Sequence, residues 1–226
     1  MGRPREHGAD TRAALLAAAG ELVHAEGPAA VSVRRVADAV GTTTRAVYSL
    51  FGDKEGLLRA LSLDVAETMR RHHEAVPQLP DPLDELPLLI AGFRSAAREK
   101  RQLYDLFMAQ VRADADVDDP VFRLVYASFD RVLSTIRRCL ALDLFPGRDE
   151  FTVGRHLLAL VHGLASLELR GVLGDDETAR LLWTQATTTT LDALRRPFVT
   201  KFLLLDHRMT TTADPAAPET VQTTER

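Results

Sequence analysis

The sequence contains little of what marks secreted, membrane or disulfide-stabilised proteins. One cysteine, Cys139, is present among 226 residues, so the chain can form neither an internal disulfide nor a cysteine-based zinc site. Hydrophobic residues make up 46% of the chain, yet no hydrophobic run is long enough to cross a membrane. Residues 2–10 are polar and lack the hydrophobic centre of a secretion signal. We therefore expect a cytoplasmic protein with a sizeable core and no membrane partner.

Catalytic motifs are also missing from the sequence. The chain has no glycine-rich phosphate loop, no His-Glu-x-x-His pair and no serine in a Gly-x-Ser-x-Gly turn. His156 and His162 are six residues apart and point to different faces of a helix, which argues against joint metal binding. The expected role of each is a satisfied core or interface histidine. We expect no enzyme activity, no cofactor and no metal site.

Charge is distributed unevenly along the chain. The net charge is −4, which by itself argues against a nucleic-acid partner. Residues 1–60, however, contain eight Lys and Arg against seven Asp and Glu, whereas the remaining 166 residues contain 20 against 25. The amino-terminal quarter is thus the less acidic part, and the local placement of its basic residues matters more to a phosphate than the total charge.

Residues 32–51, SVRRVADAVGTTTRAVYSLF, are the most informative stretch because they read as two short helices joined at a glycine. Ala37 is small enough for the helices to cross closely, and Gly41 suits a left-handed turn. Val47 then returns a hydrophobic side chain to the crossing. This spacing predicts a helix-turn-helix, which presents its second helix to the major groove of DNA.

Hydrophobic residues recur at helical spacing along the chain and nowhere alternate as in a strand, which predicts an all-α fold. Ser32, Thr43 and Asp53 are the expected N-caps of the second, third and fourth helices, and Asp10 or Thr11 that of the first. The expected helices cover residues 12–26, 33–40, 44–50, 54 to at least 72, 88–99, 101–112, 120–142, 150–170 and 176–195.

A proline-rich break at residues 77–87 marks the change between two halves, which the fourth helix can bridge. We assign residues 1–60 to a helix-turn-helix DNA-binding domain and residues 61–208 to a second, helical domain. Residues 209–226 are rich in Thr, Pro, Ala and Glu, and we expect them to be a disordered tail.

Residues 12–61 resemble the amino-terminal domain of the tetracycline-repressor (TetR) family of transcriptional regulators. The resemblance lies in TRAALLAAAGELVHAEG, SVRRVADAVG and AVYSLFGDKEGLL, in which Tyr-x-x-Phe is followed by Lys-Glu-x-Leu-Leu. Thr42 and Leu50 depart from the family pattern, which often has Val and an aromatic residue or His there. VHGLASLELRG, at residues 161–171, resembles the His-Gly segment of one subgroup of the family's ligand-binding domains. That resemblance implies a helical bundle that dimerises through its last two long helices and encloses a small-molecule cavity.

The first turn of the second helix in such a motif faces base edges, which makes Arg45 a candidate for a bidentate contact with guanine. Tyr48 suits a phosphate oxygen, and Lys54 can form an anion site with free backbone N–H groups, a role that the family resemblance favours. The alternatives are a phosphate contact for Arg45, a half-buried core position for Tyr48 and solvation for Lys54. Arg3 and Arg5 are either a flexible minor-groove arm or disordered charge. The predicted DNA-binding residues are Ser32, Arg34, Thr43, Thr44, Arg45, Ala46, Tyr48, Ser49 and Lys54.

Aromatic side chains are concentrated in the first part of the carboxy-terminal domain. A helical bundle lined by them suits an apolar or aromatic ligand, although ordinary core packing is the alternative for each residue. His72 and His73 are expected to be exposed. The predicted ligand-binding residues are Phe93, Tyr104, Phe107, Met108, Phe122, Tyr126, Phe129 and His162.

Together these features predict a homodimeric DNA-binding transcriptional regulator, specifically a repressor that a small apolar or aromatic ligand releases from a palindromic operator. The alternative is a small-molecule-binding protein with a degenerate DNA-binding head, an interpretation that the near-neutral charge of residues 1–60 keeps open. An enzyme acting in the carboxy-terminal cavity is a more distant alternative. The expected partners are double-stranded operator DNA, an unknown small-molecule effector and a second copy of the chain.

Overall fold

The computed structural model describes residues 4–109, 111 and 120–197, and the side chains within these ranges except those of residues 4–8 and 120–122. All regular secondary structure in these ranges is helical, which confirms the predicted all-α fold. No helix among them is long and apolar enough to cross a membrane. The helices are α1 (Pro4–Glu26), α2 (Val33–Val40), α3 (Thr44–Phe51), α4 (Lys54–Glu74), α5 (Pro82–Glu99), α6 (Tyr104–Met108), α7 (Pro120–Ala127), α8 (Asp130–Ala141), α9 (Glu150–Leu169) and α10 (Asp176–Leu194), with a short 3-10 helix at Pro28–Ala30.

Helices α1, α2 and α3 form an amino-terminal head in which α1 packs on α2 and α2 on α3. The predicted caps at Ser32, Thr43 and Asp53 are confirmed, because each side chain accepts a hydrogen bond from the backbone N–H three residues later. These bonds satisfy donors that the first turn of a helix leaves free. The fully buried side chains of the head include Leu15, Ala19, Val36 and Val47.

Helix α4 connects the head to the rest of the chain. It has 21 residues and is therefore about 31 Å long. It packs against α1 and α3 of the head and also against α5, α6, α7 and α8. Four of its side chains, spaced four residues apart, are buried along one side: Leu57, Leu61, Val65 and Met69. One continuous hydrophobic stripe thus joins the head to the carboxy-terminal helices.

Helix α5 begins at Pro82, six residues earlier than expected, and includes Pro87 in its interior. Pro82 lies in the first turn, where a backbone N–H has no acceptor within the helix, so the lack of an N–H in proline costs nothing. Asp81 caps that turn, because its side chain accepts a hydrogen bond from the Leu83 N–H. Pro87 would normally interrupt a helix. Here the buried neighbours on either side of it, Leu86 and Leu89, hold the helix through that position.

The predicted helix over residues 120–142 is wrong, because the structure divides it into α7 and α8 at Ser128. The Ser128 hydroxyl donates to the carbonyl of Val125, and the Ser128 carbonyl accepts from His73 Nδ1 at 2.9 Å. Both interactions take the place of regular helical hydrogen bonds.

Two other expected boundaries also differ from the structure. The helix expected at residues 101–112 is the five-residue α6, although residues 110 and 112 lie outside the described ranges. Helix α1 begins at Pro4, so neither Asp10 nor Thr11 is its cap, and Arg5 lies within the helix. Arg3 and the tail at 209–226 lie outside the described residues.

A buried carboxylate joins α5 to α8. Glu85 has no exposed surface and accepts hydrogen bonds from Arg131 at 2.6 Å, from the Thr135 hydroxyl at 3.1 Å, from the Leu79 N–H at 2.9 Å and from Arg138. Burial alone would raise its pKa, but the bonds from Arg138, Leu79 and Arg131 outweigh burial and hold the pKa of Glu85 below its ordinary value. The carboxylate is therefore ionised and fully satisfied in the folded protein.

We expect Glu85→Ala to lower the free energy of unfolding by about 3 kcal/mol, because it leaves Arg131 and Arg138 without the carboxylate that balances their charges. Urea unfolding measures this loss. The control is Asp84→Ala, which removes an exposed acid on the same turn and should cost less than about 1 kcal/mol.

The contribution of Glu85 to stability should also depend on pH, because its pKa is lower in the folded state than in the unfolded state. The Glu85 carboxylate stabilises the fold fully above the unfolded pKa of about 4.3, and this stabilisation is lost as the pH falls below that value. Glu85→Gln should therefore reduce the acid dependence of stability below about pH 5, and an unchanged dependence would contradict this assignment.

Candidate nucleic-acid interface and internal cavity

The turn between α2 and α3 has the geometry that the sequence predicts. Gly41 ends α2 in the left-handed region, with φ 69°, which glycine adopts at little cost. Ala37 is 1% exposed at the helix crossing, and its carbonyl accepts from the Thr42 N–H at 3.0 Å. Val47 on α3 is fully buried. The predicted helix-turn-helix is confirmed.

The outer face of α3 is open to solvent. Thr44, Arg45 and Ser49 are exposed, and Tyr48 is 55% exposed, so Tyr48 is not a core residue. Thr43, which is exposed at the cap, and Ala46, which is half-buried, complete the first turn. These side chains occupy the position from which a recognition helix reads base edges.

The ends of α2 and α4 add basic groups to the same head. Arg34 at the start of α2 is exposed, and its pair with Asp38 in the described part of the chain is a loose surface one, at 3.8 Å. Lys54 Nζ donates to the Ala29 carbonyl at 3.0 Å, which positions the ammonium and leaves it two further donors. Ser32 uses its oxygen as a cap acceptor and keeps its hydroxyl proton for donation.

The neighbouring Arg35 has a different, structural role. Its guanidinium makes two hydrogen bonds to the Glu26 carboxylate, at 2.5 Å and 2.9 Å, and a third to the Ala30 carbonyl at 3.1 Å. The hydrogen bonds from Arg35 lower the pKa of Glu26. This contact fastens α2 to the end of α1.

The orientation of α3 relative to α4 depends on Gly56, which the sequence analysis does not single out. A Cβ atom at Gly56 would lie 1.9 Å from the carbonyl oxygen of Phe51, so only glycine permits this approach. The Phe51 ring also lies beneath the Arg12 guanidinium, 5.4 Å from the ring centroid. A glycine in the first turn of a helix, where stronger helix formers are usual, is the signal that could have identified it.

A cavity of about 580 Å³ lies among α4, α5, α8 and α9. Its wall is largely hydrophobic, and Arg137, Glu150 and Arg155 are the strongly charged residues on it. Arg137 and Glu150 form an ion pair at 2.8 Å. A cavity of this size and lining suits a small, mainly apolar molecule.

Three of the predicted ligand residues, Phe93, Tyr126 and Phe129, line this cavity. Phe129 is central to an aromatic cluster, since its ring centroid lies 6.2 Å from that of His73, 6.4 Å from Phe107 and 6.5 Å from Phe93. Sequence reasoning did not anticipate the aliphatic part of the wall, which comes from evenly spaced leucines and isoleucines that any core helix would carry.

Among the predicted ligand residues whose side chains are described, Tyr104, Phe107, Met108 and His162 are not on the lining of this cavity. The Tyr104 hydroxyl and His162 Nδ1 are hydrogen-bonded at 2.9 Å with their rings stacked, so each satisfies the other. Phe107 is fully buried and Met108 is half-buried on α6. The side chain of Phe122 lies outside the described residues.

The expectation that His73 is exposed is wrong. His73 is 1% exposed, lines the cavity and donates through Nδ1 to the Ser128 carbonyl at 2.9 Å, whereas its neighbour His72 is half-buried and pairs with Glu99 at 2.8 Å. Burial lowers the pKa of His73. His73 lies four residues after Met69, on the same side of α4 as the buried hydrophobic residues. This spacing is the sequence signal that could have predicted its burial.

Comparison with known proteins matches both halves of the chain. Residues 15–61 match the model of bacterial regulatory proteins of the tetR family, and residues 86–190 match a tetracyclin repressor-like C-terminal domain. No curated protein sequence matches the chain.

Several solved structures share the fold. A Rhodococcus protein of unknown function is 23% identical, with a TM-score of 0.67, over 82% of this chain and 96% of its own. The TetR family transcriptional regulator PfmR from Thermus thermophilus is 20% identical, with a TM-score of 0.62, over 77% and 97%. A TetR family transcription regulator from Marinobacter aquaeolei is 19% identical, with a TM-score of 0.66, over 81% and 97%.

Proposed function

Since the chain belongs to the tetR family of bacterial regulatory proteins and is a DNA-binding regulator of transcription, we propose that it acts as a homodimeric repressor. A small apolar or aromatic ligand in the cavity releases it from a palindromic operator. The observation that carries this proposal is the course of α4, which begins at Lys54 in the head and places His73 on the cavity wall. One helix therefore touches both sites.

Two finer assignments belong to the same proposal. Residues 1–60 serve as the DNA-binding domain and residues 61–208 as the domain for ligand binding and dimerisation. We also infer from the His-Gly segment at 161–171 that the carboxy-terminal domain belongs to the subgroup that this segment resembles. The predicted DNA contacts lie between Ser32 and Lys54, whereas the cavity lining begins at His73. This separation along the chain supports the division into domains.

The proposed DNA contacts follow from exposure and charge on the head. Arg45 is exposed on the first turn of α3, where a guanidinium can reach the two acceptors of guanine. Lys54 is held beside the N-terminus of α4, which favours a phosphate over a base. Thr43, Thr44, Ala46, Tyr48 and Ser49 complete the recognition helix surface, and Ser32 and Arg34 extend it to the start of α2.

We expect Arg45→Ala to relax base preference at one position of each half-site and to cost about 1–3 kcal/mol. Lys54→Ala should weaken binding to all sequences alike and flatten the salt dependence, because one phosphate contact is lost. Fluorescence anisotropy with operator variants at several salt concentrations measures both effects. Arg101→Ala, an exposed arginine between α5 and α6, is the control and should change neither. A changed base preference with an unchanged salt slope in Lys54→Ala would contradict the assigned roles.

Dimerisation through α9 and α10 is supported by exposed hydrophobic side chains. Half of the most exposed large hydrophobic residues in the described part of the chain lie on these helices or between them. Exposed apolar groups of this kind mark association surfaces when they are concentrated in one region. Two identical heads also double the number of phosphate contacts, because one head alone makes too few of them for useful affinity for DNA. The residues concerned are Phe151, Leu167, Val172, Leu181 and Leu182.

We expect the chain to be a dimer at micromolar concentration and Leu181→Glu to raise the dissociation constant of the dimer at least about tenfold, because a charge would be buried in the interface. Light scattering coupled to gel filtration measures this. Leu142→Glu, which changes an equally exposed leucine at the end of α8, should leave the dimer intact. A monomeric parent protein would exclude the proposed assembly.

The proposed release mechanism depends on the rigidity of α4. A ligand that separates Phe129 and Tyr126 from the α4 side of the cavity would displace the helix that carries the head. The two heads of a dimer would then no longer match major grooves about 34–36 Å apart. Such a ligand acts only through its different affinities for the two states.

By reciprocity, operator DNA must weaken the binding of any ligand that weakens operator binding, by the same factor. We expect the neutral fluorophore phenylnaphthylamine to bind at least about fivefold more weakly when the operator is present. The operator is obtained by sequencing genomic DNA retained by the pure protein, and a random duplex of equal length is the control. Equal affinities with both duplexes would mean that this cavity does not control DNA binding.

A further inference from the structure

We propose that the cavity selects molecules that carry a hydroxyl group on an apolar body, and that His73 Nε2 accepts the hydrogen bond from that hydroxyl. The inference rests on the proposed ligand role of the cavity and adds the chemical class of the ligand. It does not depend on whether the ligand controls DNA binding.

The tautomer of His73 follows from its partner. Nδ1 lies 2.9 Å from the carbonyl oxygen of Ser128, and a carbonyl can only accept, so Nδ1 carries a proton. In a neutral imidazole the other nitrogen is then a bare acceptor. Nε2 is therefore the nitrogen without a partner on a side chain that lines the cavity.

His73 Nε2 is a buried polar atom without a hydrogen-bond partner in the described ranges. Native proteins satisfy nearly all such atoms, so each exception calls for a physical explanation. A donor that arrives with the ligand supplies the missing bond. His73 thus differs from Glu85, on the adjacent helix, whose carboxylate has four protein partners.

The charge state of His73 disfavours a carboxylate as the group that meets Nε2. Burial, His72 and Arg131 all disfavour the protonated ring and together lower the pKa of His73. The charged groups on the cavity lining are Arg137, Glu150 and Arg155, and Glu150 is already paired with Arg137. A carboxylate would bring no proton to the acceptor at Nε2, whereas an alcohol or phenol brings one.

The remainder of the ligand is set by the rest of the wall. Leu86, Leu89 and Ile90 on α5, with Phe93 on the same helix and Ile136 on α8, offer only hydrocarbon surface. A second polar group on the ligand would lose its hydration without replacement against these side chains. The cavity thus favours a hydroxyl on a body whose alkyl or aromatic part meets this hydrocarbon surface.

The test compares para-octylphenol with para-octylanisole, which differ by the replacement of the hydroxyl proton with a methyl group. We expect the unmodified full-length protein to bind the phenol about tenfold more tightly, by calorimetry. His73→Leu should remove this preference, while Tyr126→Phe, which deletes the hydroxyl on the cavity wall, should keep it. Equal affinities for the two probes in the parent protein, or a preference retained in His73→Leu, would overturn the proposal.

A second measurement avoids any loss of folding in the His73 variant. Nitrogen NMR of the parent protein should show an unprotonated Nε2 at neutral pH, and its resonance should shift with the phenol but not with the ether. A protonated Nε2, or tighter binding of para-octylbenzoate than of the phenol, would also overturn the proposal. Equal binding of phenol and ether leaves a ligand cavity without this selectivity. Selective binding that operator DNA does not weaken leaves the selectivity intact and contradicts the release mechanism.

Discussion

The uninterrupted burial of one side of α4 is the constraint on which the rest of the structure depends. Its hydrophobic stripe, from Leu57 to Met69, packs first against the head and then against the carboxy-terminal helices. A helix held in this way moves as one body, because sliding any part of it would open a gap in a densely packed core. The stripe continues at the same spacing to His73, where the buried surface reaches the cavity. A change in the cavity wall and a change in head position are thus mechanically linked.

The head itself is stiffened by contacts that leave its outer surface unoccupied. Arg35 is taken up by Glu26, and the Lys54 ammonium is steadied by a backbone carbonyl, while Arg45 and Tyr48 extend into solvent. The close approach of Gly56 to the Phe51 carbonyl fixes the angle between α3 and α4. Rigid positioning with free functional groups reduces the entropy lost when DNA is bound. The acidic net charge of the whole chain is compatible with this role because the acidic excess lies outside residues 1–60.

The two buried titratable groups of the carboxy-terminal helices illustrate opposite uses of low polarity. Glu85 is surrounded by donors and joins α5 to α8, so its charge is part of the packing. His73 lies on the wall of a largely hydrophobic cavity, and it has one satisfied nitrogen and one buried nitrogen without a partner in the described ranges. A satisfied network specifies one structure, whereas a group left unsatisfied in a cavity provides a point of recognition for another molecule.

The sequence by itself determined the helix-turn-helix, because caps, a left-handed glycine and helical spacing are local properties that neighbouring residues fix. It also determined the all-α class and the limits of α9 and α10 to within one residue. Only the tertiary structure decided what depends on distant partners. Pro87 remains helical between the buried side chains of Leu86 and Leu89, and α7 ends where the Ser128 carbonyl meets His73. Tyr104 pairs with His162 across 58 residues of chain. The cavity likewise arises from helices far apart in sequence, and no local pattern distinguishes a side chain on its wall from one in the core beside it.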